Sequence, residues 1–218
     1  MVTVDAVGDP GLMADRTIPP TDSRSFHPGA GTAIVWIVTG AVAWCVSLLI
    51  YLEYIGQLTD HAPLLSCSIS PFITCGPNLL SPAGNMLGFT NAIIGLVLFL
   101  GPVLAGVGAL AVSGGMRTWY WRTFALFVLG AYALVHVFAY RSIFEFGSLC
   151  PWCMIIWLMT IPLFWSVAGW TLHAGVWGAA PRRAGSFITS WLVLIVVLDY
   201  VIIAVVAQLH LDVLGRLF

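Results

Sequence analysis

The chain has 218 residues, of which 60% are hydrophobic and only 8% charged, with a formal net charge of −1 and a mean hydropathy of +0.99. A soluble domain carries about 25% charged residues, so the soluble class is excluded and membrane lipid becomes the expected surroundings. The eight basic residues, all Arg, form no basic patch, and nothing calls for a nucleic-acid partner.

Residues 1–32 are polar and rich in Pro, Gly and Asp, with no apolar core. They read as a disordered cytoplasmic tail rather than a cleaved signal peptide. Five apolar stretches follow, each long enough for the ~20 residues a bilayer requires: Ala33–Ile55, Met86–Ser113, Trp119–Arg141, Cys150–His173 and Phe187–Gln208. The separators are a loop (residues 56–85) containing Pro63, Pro71, Pro77 and Pro82, then Gly114-Gly115, Phe146-Gly147 and Pro181-Arg182-Arg183. The expected fold is an all-α integral membrane protein of five transmembrane helices, with no internal repeat.

Arginine placement sets the orientation. With the N-terminus cytoplasmic, the inside segments hold Arg16, Arg24, Arg117, Arg122, Arg182 and Arg183, and the outside segments only Arg141 and Arg216. Trp119-Tyr120-Trp121, Trp170 and Trp177 then fall at the inner boundary, where an aromatic belt is expected. The C-terminus lies outside, and the location is a bacterial inner (cell) membrane. Glycines 95, 101, 106 and 108 in the second span predict close helix packing, with Pro102 a kink.

This topology puts two cysteine pairs on the oxidising face, Cys67/Cys75 in the long loop and Cys150/Cys153 at the start of the fourth span. In Cys150-Pro151-Trp152-Cys153 the thiols stand at i and i+3 of a first helical turn, close enough for a disulfide. The helix N-terminus stabilises a thiolate there. Disulfide exchange needs a thiolate, access and a leaving group. A relay follows: a reduced outside protein attacks Cys67 and releases Cys75, which attacks Cys150 and releases Cys153 facing the bundle. A quinone dissolved in the bilayer is the natural two-electron acceptor. Two plainer readings compete: a structural Cys67–Cys75 staple, and a four-cysteine zinc site. The eight-position spacing of the first pair and the oxidising face weigh against zinc. Cys45, in mid-span, is expected to be a small buried apolar residue.

These residues resemble the vitamin K epoxide reductase family, in its bacterial disulfide-forming branch without a fused thioredoxin domain. The resemblance covers roughly residues 33–175. It rests on Cys67 and Cys75, Ser81 in Asn78-Leu79-Leu80-Ser81-Pro82, Gly88-Phe89-Thr90-Asn91-Ala92-Ile93-Ile94-Gly95, and Leu149-Cys150-Pro151-Trp152-Cys153. The resemblance implies a four-helix catalytic bundle around a quinone (menaquinone or ubiquinone, with no metal), capped by the loop and a half-helix. It further implies that Cys67 exchanges with the partner, Cys75 shuttles to Cys150, and Cys153 addresses the quinone. Asn91 would hydrogen-bond a quinone carbonyl, Ser81 matches a serine of the capping segment, and Trp157 stands where some relatives place a tyrosine. Residues 176–218 would add the fifth helix with a short outside C-terminus. Some relatives continue into a fused thioredoxin-like domain. Here the chain stops at Phe218, so the expected partner is a separate extracytoplasmic thioredoxin-fold, DsbA-like protein.

The remaining polar residues have plainer expectations. Asn91 alone reads as a helix–helix hydrogen bond. Asp199, in the fifth span, should be protonated or paired within the bundle. His136 reads as a satisfied core histidine and Glu53 as an interfacial residue. The function expected is a membrane thiol–quinone oxidoreductase that generates disulfides. Its rivals are a DsbB-type oxidase, which should carry its CxxC in the loop after the first span, and a non-enzymatic transporter or receptor with stapled loops.

Overall fold

The computed structural model describes residues 25–59, 84–85, 88–147 and 149–212. Most of the N-terminal tail and of the long loop, with Cys67, Cys75 and Ser81, lie outside the described residues, as does the C-terminal segment 213–218. The helices are α1 (Ala30–Leu58), α2 (Asn91–Ala111), α3 (Thr118–Arg141), α4 (Pro151–Ala174), α5 (Arg182–Ser190) and α6 (Leu192–Leu211). A π-helical turn, Ser142–Phe146, extends α3. Among the described residues, five helices are long and apolar enough to cross a membrane, with α5 the exception. The chain is thus an all-α, multi-pass membrane protein.

Local chemistry moves four of the expected boundaries. α2 begins at Asn91 rather than Met86: Gly88 takes a left-handed φ of 83°, and Thr90 caps the helix by accepting from the Ala92 N–H at 3.4 Å. α2 ends at Ala111, where Val112 turns to extended backbone. The stretch expected as one span from Phe187 breaks at Trp191, which leaves helical geometry (φ −110°, ψ 18°) and separates α5 from α6. Within the stretch expected as tail, Ser25–Phe26 (β1) pairs antiparallel with Met116–Arg117 (β2) and α1 begins at Ala30.

α4 is the central helix, packed against α1, α3, α5 and α6, while α2 packs chiefly on α1. Small residues allow these approaches. A Cβ on Gly106 would fall 2.7 Å from the Ala33 carbonyl oxygen, and one on Gly40 would press on Pro102. α2 and α3 meet where the Phe127 ring covers Gly101. Gly185 of α5 lies directly on the Leu172–His173 backbone and leaves no room for a side chain. α4 ends at Gly175 (φ 83°), where the Val176 N–H reaches the Thr171 carbonyl and the Gly175 N–H reaches that of Leu172.

The end of the bundle far from Cys150 holds a cluster of large rings. Trp36 and Trp121 are fully buried, and Trp36 lies 5.7 Å from Trp121, 5.3 Å from Phe124 and 5.5 Å from Trp170. The indole N–H of Trp36 donates to Ser166 Oγ at 3.0 Å and that of Trp121 to the Phe26 carbonyl at 3.0 Å. This corrects the belt expected there: Trp119 and Trp177 are exposed, whereas Trp121 is fully buried, with its ring and N–H both taken up by neighbours, and Trp170 packs half-buried against the same cluster. Cys45 also departs from expectation, since it faces outward from α1.

α6 is held differently. Only Val196, Ala207 and Leu211 of its 20 residues are buried, and most of its Val, Leu and Ile side chains point away from the protein. Its anchor is polar. Asp199 Oδ2 accepts from the Tyr132 hydroxyl at 2.6 Å and the Trp165 indole at 3.0 Å, while Oδ1 lies 3.3 Å from His136 Nε2. The Tyr200 hydroxyl donates to the Leu158 carbonyl at 2.6 Å. Asp199 is therefore paired, as the cost of a carboxylate in lipid requires. His136 Nδ1 faces the Tyr132 carbonyl at 2.9 Å, so both ring nitrogens meet acceptors. Toward its end, α6 packs Ala207 and Leu211 against Leu149 and Trp157, at the back of the wall that carries the CxxC.

Candidate functional site

The site is built on the first turn of α4. Gly147, in left-handed backbone (φ 61°), closes the π-helical turn and lets the chain reverse. Cys150 is the N-cap residue in extended geometry (φ −93°, ψ 120°), and Pro151 follows at the first helical position, where its missing N–H costs nothing. The Met154 N–H donates to the Cys150 carbonyl at 3.0 Å and closes the turn. Cys153 is thus stacked one turn into the helix, beside Cys150. Cys150 is 5% exposed and packs against Ile50, Tyr54, Trp152 and Cys153. Cys153 is half-buried and reaches the Leu149–Trp157 cluster on its other side.

Both cysteines line a cavity of about 1190 Å³, counting its open side, enclosed by α1 to α4. Ile94, Leu98 and Phe99 of α2 and Leu134, Val135 and Phe138 of α3 make its apolar walls, and Trp157 closes part of the α4 side. Its few polar groups gather on α1, at the start of α2 and at the end of α3: Ser47, Glu53, Thr90, Asn91, Arg141 and Ser142. Asn91 is the first residue of α2; its N–H donates to the Gly84 carbonyl at 2.8 Å and its side-chain oxygen is buried. An apolar slot with a few convergent polar groups suits a flat ring bearing carbonyls and an apolar tail, which is the chemistry of a quinone.

Of the residues singled out from sequence, Cys150, Cys153, Asn91 and Trp157 share this one cavity. Cys67, Cys75 and Ser81 lie outside the described residues. Two lining groups were not foreseen. Glu53, expected at an interface, is 3% exposed and lines the cavity, with Gln57 Nε2 donating to it at 3.4 Å. Arg141 lines the cavity too and donates to Glu145 at 2.7 Å. The signal for Glu53 was present: Ser47, Ile50, Glu53 and Tyr54 recur at helical spacing on one face of α1.

The family model for the vitamin K epoxide reductase family matches residues 34–168. The chain belongs to that family. Neither a curated protein nor a solved structure matches it. Membership in the vitamin K epoxide reductase family makes the protein a membrane thiol–disulfide oxidoreductase that uses a quinone. This sets aside the stapled transporter and the DsbB-type arrangement, and a CxxC opening the fourth long helix agrees with the family reading. The match covers nearly all of α1 to α4, the helices that enclose the cavity, and stops short of α5 and α6.

Proposed function

We propose that this member of the vitamin K epoxide reductase family forms disulfides on the extracytoplasmic side of a bacterial cell membrane by keeping a thioredoxin-fold protein oxidised. Electrons enter at Cys67, pass through Cys75 to Cys150, and leave from Cys153 to a quinone in the cavity. The observation that carries this reading is the shared cavity: a CxxC cap, an amide at Asn91 and apolar walls within a membrane-spanning bundle. The arginine distribution supports the orientation, with the cysteines outside and the N-terminus cytoplasmic.

The chain's own residues divide the work. Cys150, at the buried cap, is the sulfur that Cys75 attacks; Cys153, deeper in the turn, is the leaving thiolate stabilised by the helix N-terminus. Asn91 orients the quinone by donating to a carbonyl, Trp157 packs on its ring, and Ser81 takes the part of the serine it matches in the family's capping segment. A bound quinone supplies the two-electron acceptor; the protein supplies orientation and exclusion of water. The test is reoxidation of a reduced thioredoxin-fold protein by the purified enzyme with added quinone. Cys153→Ala should abolish turnover and accumulate a Cys75–Cys150 bridge. A wild-type rate in that variant would refute the route.

A further inference from the structure

Oxidising two thiols with a quinone moves two protons as well as two electrons. Among the described residues lining the cavity, the ionisable groups are Cys150 and Cys153 of α4, Arg141 of α3 and Glu53 of α1; α2 contributes none. An arginine does not release its proton in proteins, and the Ser47, Thr90, Ser142 and Asn91 side chains are not bases. Glu53 is therefore the one described wall residue, apart from the cysteines themselves, that can both take up and give back a proton. Its placement is specific. It is 3% exposed, and its helical neighbours Ile50 and Tyr54 touch Cys150 directly. Arg141 at the end of α3 is engaged by Glu145 at 2.7 Å, and Gln57 donates to the Glu53 carboxylate, which steadies the carboxylate on the cavity face.

From this juxtaposition we infer that Glu53 is the proton-transfer group of the site, carrying a proton of the Cys150–Cys153 dithiol to the quinone oxygen. The step balances. The Cys150 and Cys153 S–H bonds break and an S–S bond forms, while two electrons pass to the quinone. One proton reaches a quinone oxygen through Glu53 and the second comes from the other thiol, giving the quinol. Glu53 ends as it began. The inference rests on the thiol–quinone reading above and adds the residue that handles its proton.

The experiment compares wild type, Glu53→Gln and Glu53→Asp in detergent, with a short-chain ubiquinone as acceptor and dithiothreitol as thiol donor. A positioned acid–base group contributes typically 10²–10⁴-fold, so kcat in Glu53→Gln should fall at least about 10²-fold. The KM for quinone should stay within about twofold, the wild-type pH profile should flatten, and Glu53→Asp should restore part of the rate. Diamide, which oxidises dithiols without quinone, should still close the Cys150–Cys153 bridge to completion in all three proteins, showing an intact fold. A second readout needs no turnover. Infrared difference spectra recorded as a phosphine reduces the quinone-free protein should show a protonated-carboxyl band that is absent in Glu53→Gln. A Glu53→Gln rate near wild type, or a loss with an unchanged pH profile and no carboxyl band in wild type, overturns the assignment to Glu53 and leaves the thiol–quinone reading standing. Absence of quinone reduction by wild type overturns both.

Discussion

Replacing Asp199 with Leu separates two properties that ordinarily change together in a membrane helix. The carboxylate receives a 2.6 Å bond from Tyr132 and a 3.0 Å bond from Trp165, and faces His136 at 3.3 Å. Interhelical side-chain bonds in membranes average about 0.6 kcal/mol and reach about 1.7. With the short tyrosine bond near the upper value, losing all three weakens docking of α6 by about 2–3 kcal/mol. That is a large fraction of its attachment, because only three residues of α6 are buried. Insertion moves the opposite way, since an Asp at a helix centre costs about 2.5–3.5 kcal/mol on the insertion scale and Leu does not. Asp199→Leu should therefore insert better and dock worse. The assay is unfolding in mixed micelles across a double-mutant cycle with Tyr132→Phe, where the pair should couple by about 1–1.5 kcal/mol. Coupling below about 0.3 kcal/mol, with docking unchanged in Asp199→Leu, would refute the polar anchor and place α6 attachment in its apolar contacts.

Further perturbations test other parts of the account. Trp36→Ala empties the centre of the ring cluster and should cost about 3–5 kcal/mol, read as a lowered thermal midpoint. Gly185→Leu has no space against the Leu172–His173 backbone, so α5 should leave α4 and the linkers around it should become sensitive to protease, whereas Gly114→Ala, with open space around it, should not. Asn91→Leu removes the amide at the head of α2 and should raise the quinone KM about tenfold, the equivalent of about 1.4 kcal/mol, with kcat little changed. An Asn91→Leu enzyme with wild-type KM would remove that residue from quinone binding.

The cysteine cap was legible in the sequence because it depends on local rules: Pro151 at the first helical position and thiols at i and i+3 produce the same turn wherever the helix packs. Span existence was legible for the same reason, since length and hydropathy are additive along the chain. What depended on neighbours was not. Trp121 and Trp119 are two residues apart and look alike in sequence, yet one is buried and the other exposed, and what separates them is the approach of Trp36, Phe124 and Trp170 and the Phe26 carbonyl to Trp121. The start of α2 turned on the backbone of Gly88 and the Thr90 cap, which hydropathy does not register. Glu53 looked interfacial because it sits near a helix end; its burial depends on the cavity closing across from α1. Asp199 was expected to need a partner, but its partners come from two helices that no spacing rule connects to α6.

The central claim is that the dithiol of α4 passes its electrons to a quinone in the cavity beside it. Its most direct measurement is a single turnover: protein reduced at Cys150 and Cys153, freed of reductant, is mixed with one equivalent of short-chain ubiquinone. Quinol formation is followed optically, and remaining thiols are counted by alkylation and mass spectrometry. The account requires one quinol per Cys150–Cys153 bridge formed, with neither product in Cys153→Ala. Quinone left unreduced by the fully reduced wild-type protein, or reduced equally well by Cys153→Ala, would contradict it.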